Sequence, residues 1–211
     1  MKNSRILSIS GFIGVIVFII VVLVGASQFP GYSHASEYIS NLGAIGQPSA
    51  TTMTVGGIIV GLLVILFGIA TLITFKKDWK GLLGGILILW DGLSSILEAI
   101  FPCEPGCHAA QPILSEQIHN MLGPISFIGL SICIILWAFR FKGQKHWNGL
   151  WLYSLIAGIA GILLFLVFGM SVGTPTVGIW QRLLKADLYI WLAIFSFRLW
   201  QQWEFAPFVK E

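Results

Sequence analysis

Six long apolar runs constrain this chain more than any other feature. They lie at about residues 6–28, 54–75, 82–101, 118–139, 150–172 and 178–200. Each is close to the roughly 20 residues that a helix needs to cross about 30 Å of hydrocarbon. Lipid cannot hydrogen-bond an exposed backbone, so continuous apolar runs of this length cross as helices. The bulk numbers agree: 56% of the residues are hydrophobic and 10% are charged, against about 25% charged in soluble domains. The sequence therefore predicts an all-α integral membrane protein, a bundle of six transmembrane helices forming one domain over residues 1–211. The formal charge of +3 is small and gives no case for nucleic acid.

The first run could be read as a signal peptide, with Lys2 and Arg5 before it and Gly25-Ala26-Ser27 as a small-residue cleavage site. Its apolar stretch is long for a signal sequence, and a retained first helix is expected. Lys and Arg in the connecting segments set the orientation. Lys2, Arg5, Lys76, Lys77, Lys80, Arg140, Lys142, Lys145, Arg198 and Lys210 all fall on one side, whereas 29–53, 102–117 and 173–177 contain none. Both termini are thus expected in the cytoplasm, in a cell membrane, with those three segments outside. Trp79, Trp137, Trp147, Trp151, Trp200 and Trp203 sit near the expected inner boundary, where amphipathic rings settle.

Small residues punctuate the runs. Gly57 and Gly61 form a Gly-x-x-x-Gly, and Gly158, Gly161 and Gly169 recur in the fifth run. Close helix packing explains them, and Cys133 reads as a small packing residue in the fourth run. No internal similarity suggests two repeated halves.

Ionisable groups inside a span are costly, by about 2.5–3.5 kcal/mol at the centre on insertion scales, and normally face a cavity or a partner. Here Asp91, Ser94, Ser95 and Glu98 share one face of the third helix, at i, i+3, i+4 and i+7. On the sixth, Gln181, Arg182, Lys185 and Tyr189 fall within one arc, while Asp187 points elsewhere. Arg182 and Lys185 are the cations that break the inside-positive pattern. The first outer segment supplies His34 and Glu37, the second supplies His108 and Glu116, and His119 opens the fourth helix.

Two arrangements are compatible with this set. Asp91 and Glu98 pair with Arg182 and Lys185 to hold the third and sixth helices together, or both faces line a pocket open to the outside. A pocket admits several chemistries. Arg182 and Lys185, with Gln181, Tyr189, His34 and Glu37, suit a lipid headgroup or other anionic amphiphile. Glu98, His119 and Asp91 are the candidate acid–base groups if the ligand is also processed. A metal-dependent hydrolase would need Zn²⁺ held by residues from several helices, since no local ligand spacing such as H-E-x-x-H occurs. No cofactor is otherwise expected. No G-x-S-x-G supports a serine nucleophile. Asp91 at mid-membrane also suits a proton-coupled or small-solute transporter. A membrane lipid is the expected partner, and nothing sets an oligomeric state.

The stretch Phe101-Pro102-Cys103-Glu104-Pro105-Gly106-Cys107 follows the third run. Its cysteines are placed outside, where disulfides persist, and Pro105-Gly106 favours a tight turn between them. A Cys103–Cys107 disulfide is expected to end the third helix and fix the loop above Glu98.

Together with Ser40-Asn41-Leu42-Gly43-Ala44 and His119, this stretch resembles the prokaryotic multi-pass membrane family catalogued as domain of unknown function 998. The resemblance covers nearly the whole chain. The family pattern commonly has an acidic residue at the place of Asn41 and Asp at the place of Glu104. It implies architecture and membrane location, and no activity.

Overall fold

A computed structural model describes residues 2–205, and side chains over residues 5–202. The Lys2 and Trp203 side chains and Lys210, used above for orientation and boundary, lie outside the described residues. Six helices follow one another: α1 (Lys2–Gln28), α2 (Ala50–Phe75), α3 (Trp79–Ile100), α4 (Leu114–Phe141), α5 (Leu150–Met170) and α6 (Val177–Phe205). No strand occurs among the described residues. α1 to α5 are long and apolar enough to cross a membrane by length and composition. α6 carries Arg182, Lys185, Asp187 and Arg198 within its length. It also supplies core, with Leu184, Leu188, Trp191, Leu192 and Phe195 fully buried at 0% exposure.

Consecutive helices pack side by side, and α6 returns to α1, so the bundle closes into a ring with α4 also touching α6. Backbones approach most closely between α2 and α3. A Cβ on Gly61 would lie 2.5 Å from the Gly92 carbonyl oxygen, and one on Gly92 would lie 2.7 Å from that of Gly61. The two glycines therefore interlock backbone to backbone, as small residues do where membrane helices meet. Gly158 packs against Ile135 of α4 in the same way. Cys133 is buried and donates to the Gly84 carbonyl at 3.2 Å, the packing role expected for it.

Near the ends of α2, α4 and α6 an aromatic cluster fills the ring. Trp137 stands 4.5 Å from Phe195 and 4.8 Å from Phe75, and Trp147 stacks on Phe141 at 4.6 Å between centroids. Trp137 and Trp147 are 0% and 4% exposed, so at this end of the bundle they serve as core residues. Burial of large rings against one another outweighs the interfacial preference of a single indole. Trp79 is exposed at 63%. The adjacent α2–α3 turn is pinned where Asp78 accepts from the Lys80 N–H at 3.4 Å and pairs with Arg140 at 2.5 Å.

Candidate functional site

The opposite end of the bundle is closed by two segments, residues 29–49 and 101–113, which we call the cap. Asn41, 5% exposed, joins them. Its side-chain carbonyl accepts from the Gly106 N–H at 2.7 Å, and its amide donates to Glu37 Oε2 at 2.6 Å. Glu37 Oε1 in turn accepts from the Ser33 N–H at 3.2 Å. The Ile45 N–H donates to the Cys103 carbonyl at 2.9 Å. The Cys103 and Cys107 sulfurs lie at disulfide distance, with Cα atoms 5.0 Å apart. Gly106 has φ +89° and Cys107 φ +53°, the tight turn that the Pro-Gly pair suggested. Glu116, fully buried at the start of α4, accepts from the Glu104 N–H at 2.9 Å and the Ala109 N–H at 3.0 Å.

α6 holds the first cap segment down. Arg182 donates to the Glu37 carbonyl at 2.9 Å, to the Gly178 carbonyl at 3.0 Å and to the Tyr32 hydroxyl. Tyr32 donates onward to the Tyr38 carbonyl at 2.8 Å. Burial pushes the Tyr32 phenol above the ordinary tyrosine value, with Arg182 opposing, so it stays protonated and can both accept and donate. Gly178 permits the close approach, since a Cβ there would lie 2.4 Å from the Glu37 carbonyl oxygen.

Beneath the cap lies a cavity of about 400 Å³, bounded by all six helices, a size typical of small-molecule sites. Its walls are largely apolar, including Phe18, Val21, Met53, Phe127 and Phe168. Its polar lining includes Glu98, His108, His119, Asn120, Gln181, Lys185 and Tyr189. Glu98 Oε1 accepts from Ser94 Oγ at 3.2 Å. His119 Nδ1 faces two carbonyl oxygens, of Phe101 at 3.0 Å and Glu98 at 3.3 Å. Carbonyls only accept, so Nδ1 carries the proton, and Nε2 of the neutral ring is left as an acceptor. The contact also satisfies carbonyls at the C-terminal end of α3, which the helix itself cannot. Lys185 Nζ sits 4.1 Å from the Tyr189 ring centroid, 5.4 Å from Phe127 and 5.6 Å from Phe18. Rings at such distances attract a cation through their faces.

The structure thus brings Glu98, His119, Gln181, Lys185 and Tyr189 together, from three helices. It places Arg182, His34 and Glu37 elsewhere. Arg182 and Glu37 are engaged in the cap, and His34 is exposed and packs edge-on against Tyr32 at 5.2 Å. Asp91 lies deeper than the lining, 2% exposed, where its Oδ1 accepts from Ser126 Oγ at 2.7 Å and its Oδ2 has no hydrogen-bond partner. No ion pair within 4.0 Å joins Asp91 or Glu98 to Arg182 or Lys185, so the helix 3–helix 6 pairing is not formed. Asp187 turns toward α5, with its Oδ2 near Gly161. No three of His, Cys, Asp and Glu form a metal-holding group among the described residues.

Sequence reasoning missed three structural contributors. Glu116 and Asn41 organise the cap through side-chain bonds to backbone, and the Asn41 role was signalled only by its place in Ser40-Asn41-Leu42-Gly43-Ala44. Pro124 lines the cavity from inside α4, which runs through it unbroken.

No curated protein and no solved structure matches the chain. A family model described as protein of unknown function (DUF998) matches residues 12–198. The match runs from α1 into α6 and so takes in the cap and every helix that bounds the cavity. On that coverage, the chain belongs to the DUF998 family.

Proposed function

We propose that this protein spans the cell membrane six times and uses the capped cavity to bind an anionic amphiphile such as a lipid headgroup. Both termini are cytoplasmic in this reading, and the cap faces outward. The absence of Lys and Arg from 29–53, 102–117 and 173–177 supports that orientation. One observation carries the binding reading: the Lys185 ammonium stands in a largely apolar cavity, ringed by Tyr189, Phe127 and Phe18, with no carboxylate within ion-pair distance. Asp91 and Glu98 act on this cation only from beyond ion-pair distance, so an anionic group placed against it in the apolar cavity is favoured. Gln181 and Tyr189 flank it one turn away on either side and add donors. Arg182 serves the same site indirectly, by holding its cap. Glu98 and His119 are the groups available for proton transfer if the bound molecule is processed.

The test is retention of phosphatidylglycerol by purified protein, read by native mass spectrometry. Lys185→Gln is expected to lower retention by about tenfold, the scale of one hydrogen bond to a charged group. Lys142→Gln, at the far end of the bundle, is expected to change nothing. Equal retention by Lys185→Gln and the unmodified protein would overturn the reading.

A further inference from the structure

The cavity has two chemically opposite walls. Gln181, Lys185 and Tyr189 recur at i, i+4 and i+8 along α6 and line one side. The Gln181 side-chain oxygen already accepts from the Ile39 N–H at 2.6 Å, which leaves its NH₂ group as a donor. Lys185 can only donate. The α3–α4 wall carries two acceptors, Glu98 and His119, beside the Ser95 hydroxyl and the Asn120 amide. Glu98 has one oxygen bonded to Ser94 and the other without a protein partner. In the neutral ring His119 Nε2 is the acceptor, with Nδ1 facing the Phe101 carbonyl at 3.0 Å.

The two walls face one cavity, with Tyr189 reaching Ser95 of α3 across it. Lys185 and Glu98 lie within electrostatic reach of each other, yet no ion pair within 4.0 Å joins them. A single anion would satisfy Lys185 and meet Glu98 as a like charge. A single cation would do the reverse. A molecule bearing both signs satisfies both walls at once.

We propose that the ligand is a zwitterion with an oxyanion and a primary ammonium a few bonds apart, of the phosphoethanolamine type. This deepens the anionic-amphiphile reading and rests on it. The phosphate sits against Lys185 and Gln181. The ammonium sits against Glu98 and His119 Nε2. The amine is primary because both acceptors require N–H donors, which a trimethylammonium group lacks. The rings of Phe18, Phe127 and Tyr189 already surround Lys185.

The test is competition among phosphatidylethanolamine, phosphatidylcholine and phosphatidylglycerol, presented at equal concentration to purified protein and read by native mass spectrometry. Phosphatidylethanolamine is expected to be preferred by about tenfold over each of the others. Glu98→Gln is expected to erase its preference over phosphatidylglycerol, and Lys185→Gln to weaken phosphatidylethanolamine and phosphatidylglycerol alike. A thermal-unfolding scan of each variant confirms that it is folded, and Glu98→Asp serves as a second variant that keeps the charge. Soluble phosphoethanolamine that displaces the lipid would support the same chemistry from a free ligand. Equal binding of the three lipids, or an unchanged preference in folded Glu98→Gln, would overturn the zwitterion and leave the binding reading standing. Binding of none of them would overturn both.

Discussion

Arg182 and Lys185 lie three residues apart on α6 and do different work. Helical periodicity puts both in one arc with Gln181 and Tyr189, and that much was legible in the sequence. The direction each side chain takes was not, because it depends on what stands within reach. Arg182 finds the Glu37 and Gly178 carbonyls and the Tyr32 hydroxyl, which its planar fork can serve together. Lys185 finds aromatic rings and the cavity. Arg182→Gln is therefore expected to destabilise the cap by about 1.5–3 kcal/mol, the worth of hydrogen bonds to a charged group. Arg182→Lys should recover little of it, since an ammonium cannot reproduce the fork. Thermal unfolding in detergent measures both. Neither variant is expected to alter the order in which lipids are preferred, which separates a cap role from a ligand role.

At the scale of elements, the six helices were readable from their length and apolarity, and each structural helix begins and ends within five residues of its expected run. The interlock of α2 with α3 was readable in kind from Gly57 and Gly61. Its partner Gly92 was not, because nothing in one helix says which neighbour faces it. Gly61→Ala would force a methyl to within 2.5 Å of the Gly92 carbonyl oxygen. It is expected to cost about 1–3 kcal/mol by overpacking, seen as a lower unfolding midpoint. In the cap, the Cys103–Cys107 turn was legible from spacing and its place between apolar runs. The side-chain bonds from Asn41 and Glu116 to distant backbone were not, since they link residues far apart in sequence. Replacing both cysteines by serine should release the chain entropy that a short bridge removes, worth about 2 kcal/mol. Hydrogen exchange is the measurement. Amides of 40–45 and 101–109 are expected to lose protection, while the middle of α3 and α4 keeps theirs. A uniform loss across the helices would mean that the cap and bundle unfold as one unit.

For the whole molecule, two features support the proposed orientation of the ring of helices. The cap end has connecting segments without Lys or Arg, and the other end has Lys76, Lys77, Lys80, Lys142 and Lys145. The cavity lies at the cap end, so the orientation also decides which side of the membrane supplies the ligand. The walls themselves were only half legible: Glu98, His119 and Lys185 stood out as polar residues within apolar runs, but Phe18 and Phe127 look like any other apolar residue until the ring closes. Two single-cysteine substitutions, one on either side of α5, test the orientation and the crossing of α5 together. Thr174 is exposed between α5 and α6, and Lys145 is exposed between α4 and α5. The native background is quiet, with Cys133 buried and Cys103 and Cys107 at disulfide distance. In intact cells a membrane-impermeant maleimide is expected to label Thr174→Cys fully. Lys145→Cys should react only after permeabilisation, because the proposed orientation puts that loop in the cytoplasm. The reverse pattern would turn the cavity toward the cell interior. Labelling of both sites in intact cells would mean that α5 does not cross, and the closed ring would then need another explanation.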